Sequence, residues 1–227
     1  MPMSPLQQSY EHARVSVIIP CYRDATTLGR ALASLQAQTK RADEVIVVDD
    51  CSPEGELIRQ VIAGFPGTIY VRNAENLGLA GTRNRGLQEA SGDIVAFLDA
   101  DDEAHPQRIE WQLNFVTPDS AVACDVERVP MDGTSPPLFF DWPPPVKTYR
   151  GIGTVIYANR LTGASLMATT ALLRTIGGYD SSLRSCEDFD LWLRLLACGY
   201  RVQRLRRPLY IYHQNPAGLS QIGRAHV

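Results

Sequence analysis

The 227 residues read as one α/β domain with a mostly parallel central sheet flanked by helices. Three observations predict it. Strand-like and helix-like patterns alternate strictly through the first half, as in doubly wound sheets. The strand runs are short, continuous and rich in Val and Ile, the pattern of strands buried on both faces. The chain is also long enough, at 44% apolar residues, to bury a sizeable core.

The elements follow in order. Strands are predicted at Val15–Pro20, Glu44–Asp49, Thr68–Arg72 and Asp93–Leu98. Between them, Thr26–Gln38 places Leu28, Ala31, Leu32 and Leu35 on one helical face, and Glu54–Ala63 groups Leu57, Ile58 and Val61. A third helix over Leu79–Ala90 aligns Leu79, Thr82, Gly86 and Leu87 and stops at Ser91-Gly92. Another helix is expected to start near His105-Pro106, and a strand covers Ala121–Val126. The Pro-rich span Pro130–Arg150 predicts a long irregular excursion. Beyond it, Ala164–Ala168 reads as a strand and Thr170–Ile176 as a short helix stopped by Gly177-Gly178. Glu187–Ala197 is an amphipathic helix with Leu191, Trp192, Leu195 and Leu196 inward, and Val202–Tyr212 is a final strand.

Composition narrows the function classes. A formal net charge of −3 gives no support to a nucleic-acid partner, which favours a basic patch. No apolar run approaches the roughly 18 residues of a membrane span, and MPMSPLQQSYEHAR lacks the apolar stretch of a signal peptide. A cytoplasmic location is therefore expected. Five scattered Cys without a CxxC pair fit small packed thiols in a reducing compartment. The last six residues, Ile222 to Val227, match what one reading frame of a common sequencing adapter encodes, so the native chain is expected to be interrupted after about Gln221.

In open α/β sheets, ligands sit beyond the carboxyl ends of the strands, so the residues following each strand should form one site. After the first strand stand Pro20, Cys21, Tyr22 and Arg23, where the Tyr22 ring offers a face for a flat base. A dehydrogenase would need a Gly-rich turn there, and this chain has none. Asp49 and Asp50 end the second strand; either suits an imide N–H, and Asp49 equally suits capping a helix or bracing the loop. Arg83, on the helix after the third strand, matches phosphate oxygens. The fourth strand gives Asp99-Ala100-Asp101-Asp102, and an extended chain projects Asp99 and Asp101 to one side. Two such carboxylates repel unless a cation lies between them, and hard Mn²⁺ or Mg²⁺ takes oxygen ligands. Glu187, Asp188 and Asp190 open the late helix, where a carboxylate serves either as helix cap or as general base.

The stretches VSVIIPCYRDATTLGRALASLQAQT, VIVVDDCS, NLGLAGTRNRGLQEASGDIVAFLDADD and GGYD with CEDFDLWLRLL together resemble the family 2 glycosyltransferases of GT-A fold. The resemblance covers about residues 14–215. It implies one GT-A domain over 14–221 behind a polar tail of residues 1–13. Residues 14–126 would bind the nucleotide-sugar, and 127–221 would form the acceptor and catalytic half. It further implies that Pro20, Tyr22 and Asp50 hold uracil and ribose with Asp49 adjacent, and that Arg83 approaches the diphosphate. Asp99 and Asp101 would bind ribose and a divalent cation, Mn²⁺ or Mg²⁺, with His213 near the phosphates and Asp188 as base. The implied reaction is inverting transfer from a UDP-sugar to a glycan or lipid-linked hydroxyl, and peripheral association at the inner face of the membrane is compatible with it.

Overall fold

The computed structural model describes residues 12–130, 133, 144–155 and 161–214. Its first half follows the predicted alternation. Strand β1 (Val15–Cys21) leads to helix α1 (Leu28–Gln36), β2 (Glu44–Asp49), α2 (Gly55–Ala63), β3 (Thr68–Arg72), α3 (Gly78–Glu89) and β4 (Ile94–Phe97). These four strands lie parallel in the order β3-β2-β1-β4.

β1 shows why such runs are uniformly apolar. Val15, Val17, Ile19 and Cys21 enter one core and Ile18 the other, so both faces are covered. On the first side lie Leu28 and Leu32 of α1 and Ile58 of α2. Leu57, grouped with Ile58 by periodicity, stands exposed instead. On the second side α3 approaches β1 closely, and a Cβ on Gly86 would overlap the Ile18 side chain. The glycine in that stripe thus sets the helix-to-sheet distance.

The second half adds β5 (Glu103–Ala104), α4 (Arg108–Leu113), β6 (Ser120–Pro130), β7 (Val146–Arg150), β8 (Met167–Thr169), α5 (Thr170–Thr175), α6 (Glu187–Ala197) and β9 (Arg201–Gln214). The sheet continues from β4 through β8, β6 and β9 to β5, with β7 also on β9. β8 runs antiparallel to β4 and β6, and β9 is parallel to β6, so the sheet is mixed beyond its parallel half. Two expectations need correction. The end of the Pro-rich span is a strand: Val146–Arg150 pairs antiparallel with Arg201–Leu205, where alternation along Val-Lys-Thr-Tyr-Arg buries Tyr149. The strand expected over Ala164–Ala168 is instead a 3-10 turn, Gly163–Ser165, followed by β8. Residues 131–132 and 134–143 of the excursion, and Ile222 to Val227, lie outside the described residues. Among those described, no helix is long and apolar enough to cross a membrane.

Candidate active site

The strand order changes direction between β1 and β4, and the crevice at their carboxyl ends is where an α/β sheet accommodates a ligand. β1 ends beside β2, with Pro20 opposite Val48, and delivers Tyr22, 42% exposed. The Arg23 guanidinium lies 5.3 Å over one face of the Tyr22 ring. Asp24 turns the loop back: its Oδ2 accepts from the Tyr22 N–H at 3.0 Å, and its carbonyl accepts from Thr27 and Leu28 at the start of α1.

The two carboxylates after β2 are braced by protein donors. Asp49 is fully buried and accepts from Ser52 N–H at 2.8 Å, the Tyr70 hydroxyl at 2.6 Å and Arg72. Burial alone would raise its pKa, but these donors outweigh burial and hold the carboxyl below its ordinary range. Of the two roles open to Asp49, bracing the loop is the one its contacts display. Asp50 accepts from Asn73 Nδ2 at 2.8 Å and from the Leu77 and Gly78 N–H groups at 2.8 and 2.9 Å. It thereby fixes the start of α3 against the end of β2.

Arg83 departs most from its expected role. Its side chain is 2% exposed, so it does not stand on the open rim awaiting phosphates. Nη2 donates to Asp99 Oδ1 at 2.9 Å and Nη1 to Glu187 Oε1 at 2.8 Å. The guanidinium also packs 5.3 Å from the Tyr179 ring centroid. One buried cation thus joins α3, the loop after β4 and the first turn of α6. It thereby brings Asp99, 30% exposed, near Asp188, which follows the paired Glu187.

Beyond β4 the acidic segment Asp99 to Asp102 is held from behind. The Tyr210 hydroxyl donates to Asp102 Oδ2 at 2.6 Å, and the His213 N–H donates to Asp102 Oδ1 at 2.8 Å. Arg30 donates to the Asp101 carbonyl at 2.7 Å. His213 does not offer itself as an exposed ligand. The ring is fully buried, with Nε2 2.6 Å from Glu103 Oε1 and Nδ1 3.3 Å from the Pro130 carbonyl oxygen, so it ties the end of β9 to β5 and β6. No three His, Cys, Asp or Glu side chains among the described residues form a ready metal cage.

The electrostatics still mark this rim. Burial pushes the Asp24 carboxyl up to about 6; the Tyr22 N–H lowers it, while the charges of Asp101 and Asp99 raise it further. Burial and then the Asp99 charge push Asp101 up to about 6. Burial followed by Asp99 and Asp101 pushes Asp102 up to about 8. Like charges crowd here, and Arg30 and His213 offset them only in part. For Asp102, a folded-state pKa above the unfolded value means that the folded chain binds the extra proton between pH about 4 and about 8, so stability falls as pH rises through that window. Thermal unfolding of metal-free protein should accordingly show a higher Tm at pH 5 than at pH 8. Asp102→Asn, which mimics the protonated group, should flatten that slope; an undiminished slope would assign the effect elsewhere.

Asp188 is half-buried, with Oδ1 2.7 Å from the Phe189 N–H and Oδ2 3.2 Å from the Gly163 N–H. The structure therefore joins Asp99 and Glu187 directly through Arg83, and the charges of all three and of Asp188 act on the Tyr179 hydroxyl packed among them. Tyr22 and Asp50 stand on the neighbouring strand ends. Sequence reasoning overlooked Asp24, which its position three residues beyond β1 would have flagged. It also overlooked Glu187 as partner of Arg83, for which nothing local gives a signal.

The chain resembles known proteins in both sequence and fold. The chain is 32% identical over 190 residues to an uncharacterized glycosyltransferase of Haemophilus influenzae, covering 80% of this chain and 62% of that protein. It is 28% identical over 229 residues to the succinoglycan biosynthesis protein ExoO of Rhizobium meliloti, covering 92% of this chain and 63% of the relative. The chain thus spans about three fifths of such relatives. The fold matches the crystal structure of S. aureus TarS 1–349 in complex with UDP-GlcNAc at a TM-score of 0.71 and 22% identity, covering 90% of this chain and 60% of that one. The family model described as glycosyl transferase family 2 matches residues 16–163, well over half of the molecule and including both strand ends that carry the crevice, so the chain belongs to that family and has its GT-A fold.

Proposed function

We propose that the chain is an inverting glycosyltransferase that moves a sugar from a UDP-sugar to a glycan or lipid-linked hydroxyl, in the synthesis of a cell-surface polysaccharide. The observation that carries this is the Arg83 clamp, which sets the Asp99 loop beside the Asp188 helix. The UDP and UDP-GlcNAc complexes of TarS support a UDP-sugar donor, and the succinoglycan role in the name of ExoO supports a polysaccharide product.

Tyr22 presents the ring face opposite Arg23 to the base, and Pro20 and Asp50 stand at the adjoining strand ends. Asp99 and Asp101 fit a divalent cation, Mn²⁺ or Mg²⁺: the donors are all oxygen, and burial together with the Asp99 charge pushes the Asp101 carboxyl up. A cation held there by these two side chains would take its remaining ligands from diphosphate oxygens and water. When bound, the cation neutralises charge on the departing diphosphate. Asp188 accepts the proton of the acceptor hydroxyl as its oxygen bonds to the anomeric carbon and UDP leaves with the electron pair. Attack from the face opposite the leaving group inverts that carbon. The reaction would occur in the cytoplasm, at the inner face of the membrane where the acceptor is lipid-linked.

Titration calorimetry with UDP tests the donor site. Wild type should bind UDP tightly with Mn²⁺ and weakly with EDTA, and Asp101→Ala should lose about tenfold or more of the Mn²⁺-dependent affinity, on the order of 1.4 kcal/mol. Equal affinity in wild type and variant would remove Asp101 from the cation site.

A further inference from the structure

We infer that Gly163 is a positioning residue for the Asp188 carboxylate, because its backbone N–H holds that carboxylate and its missing side chain is what admits it. The inference rests on the base role proposed for Asp188. The two residues are 25 apart in sequence and meet across the gap between the 3-10 turn and α6. Gly163 N–H donates to Asp188 Oδ2 at 3.2 Å while Phe189 N–H donates to Oδ1 at 2.7 Å, so a backbone donor holds each oxygen. The position is closed to any side chain. A Cβ on Gly163 would overlap Asp188 Cβ and stand 3.0 Å from Oδ2 and 3.1 Å from Cγ.

The glycine is not there for its backbone freedom. Gly163 is absent from the positive-φ positions and lies in a 3-10 turn, a conformation alanine adopts readily. The three atoms nearest to such a Cβ all belong to Asp188. The first overlap is with the Cβ of Asp188 rather than the end of a flexible chain, so backbone must move on one side or the other.

Both sides are pinned. On the turn, the Ala164 carbonyl accepts from Arg108 Nη2 at 3.2 Å and the Ser165 carbonyl from Gln112 Nε2 at 2.7 Å, while Ser165 Oγ accepts from Cys124 N–H at 3.2 Å. The same Arg108 nitrogen donates to the Phe97 carbonyl at 2.7 Å, at the end of β4. On the other side the first turn of α6 is held by the Glu187 bond to Arg83. The buried arginines therefore fix the turn and α6 relative to the loop after β4, and Gly163 sets how near the base stands to the turn. A misfit introduced at 163 falls on Asp188.

The test is a mutant cycle on the full chain. Turnover is read as UDP release from UDP-glucose, UDP-galactose or UDP-GlcNAc with Mn²⁺, water serving as acceptor. Gly163→Ala should lower turnover by about 10- to 100-fold, the cost of a misplacement on the order of 1 Å, with UDP affinity unchanged within about twofold. In an Asp188→Asn background the same substitution should have almost no further effect, since the group it positions is gone. An Asp188→Asn variant turning over like wild type would sink the base role itself. If that variant is slow but Gly163→Ala is as fast as wild type, or equally damaging in both backgrounds, the positioning role is overturned. Crystal structures of wild type and Gly163→Ala give a readout independent of turnover: the Asp188 carboxylate should be displaced, and an unmoved carboxylate refutes the inference.

Discussion

Arg83→Met should lower the stability of the protein more than any other single substitution around the site, by about 3 kcal/mol. Removing one partner from a buried ion pair leaves the others charged and desolvated, which typically costs about 3–5 kcal/mol. Here two carboxylates lose their cation at once. Asp99 is 30% exposed and can regain water, so the lower end of the range applies; Glu187, at 11%, cannot rehydrate so readily. For a chain of this size the loss corresponds to a fall in Tm of about 6–12 °C. Arg83→Lys should recover little, because one ammonium cannot reproduce a guanidinium fork that reaches two carboxylates on different elements. Differential scanning calorimetry of the three proteins checks the prediction. A variant that kept its Tm but bound UDP poorly would restore Arg83 to the phosphate-facing role expected from the sequence.

The burial of Arg83 shows where the sequence is legible. The parallel half can be read because β1, β2 and β4 are buried on both faces, and Ile18 and Ile19 must be apolar whichever core they enter. The amphipathic stripes of α1 and α6 can be read for the same reason, since Leu28 and Trp192 have one place to go. β7 was hidden because two proline clusters precede it and most of its exposed residues are polar; only its pairing with β9 makes it a strand. The 3-10 turn was hidden because Gly163-Ala164-Ser165-Leu166 has strand-like burial on every residue yet is shaped by Arg108 and Gln112, more than fifty positions earlier.

In the site, the carboxylates after the strand ends were legible because a strand projects its last residues toward the ligand crevice. What they are bonded to was not. A sequence gives Arg83 and Arg108 the charge of surface residues, and both are almost entirely buried. Partners from distant elements decide their roles: Glu187 lies 104 positions from Arg83, and Ala164 lies 56 from Arg108. The surroundings of His213 were hidden for a similar reason. Its ring type suits a metal, but the end of β9 is drawn inward by Asp102 and Glu103, which leaves the ring braced between strands.

Asp188→Asn should reduce turnover by about two to four decades, the usual contribution of a positioned general base, while leaving UDP affinity nearly intact. The substitution keeps shape and size and removes the proton acceptor. An amide can place its one oxygen toward the Gly163 or the Phe189 N–H but not toward both, so the variant also loses one of the two bonds that orient the group. It should cost little stability, because the Glu187 bond to Arg83 that anchors α6 is untouched. Donor and base are therefore separable by measurement even though one arginine joins them. Asp101→Ala acts on affinity with chemistry secondary, Asp188→Asn acts on chemistry with affinity preserved, and Arg83→Met lowers stability and turnover together. Pre-steady-state UDP release with saturating Mn²⁺, alongside calorimetric UDP affinities, resolves the three. A fall in UDP affinity for Asp188→Asn equal to its fall in turnover would place that carboxylate on the donor and leave proton transfer to another group.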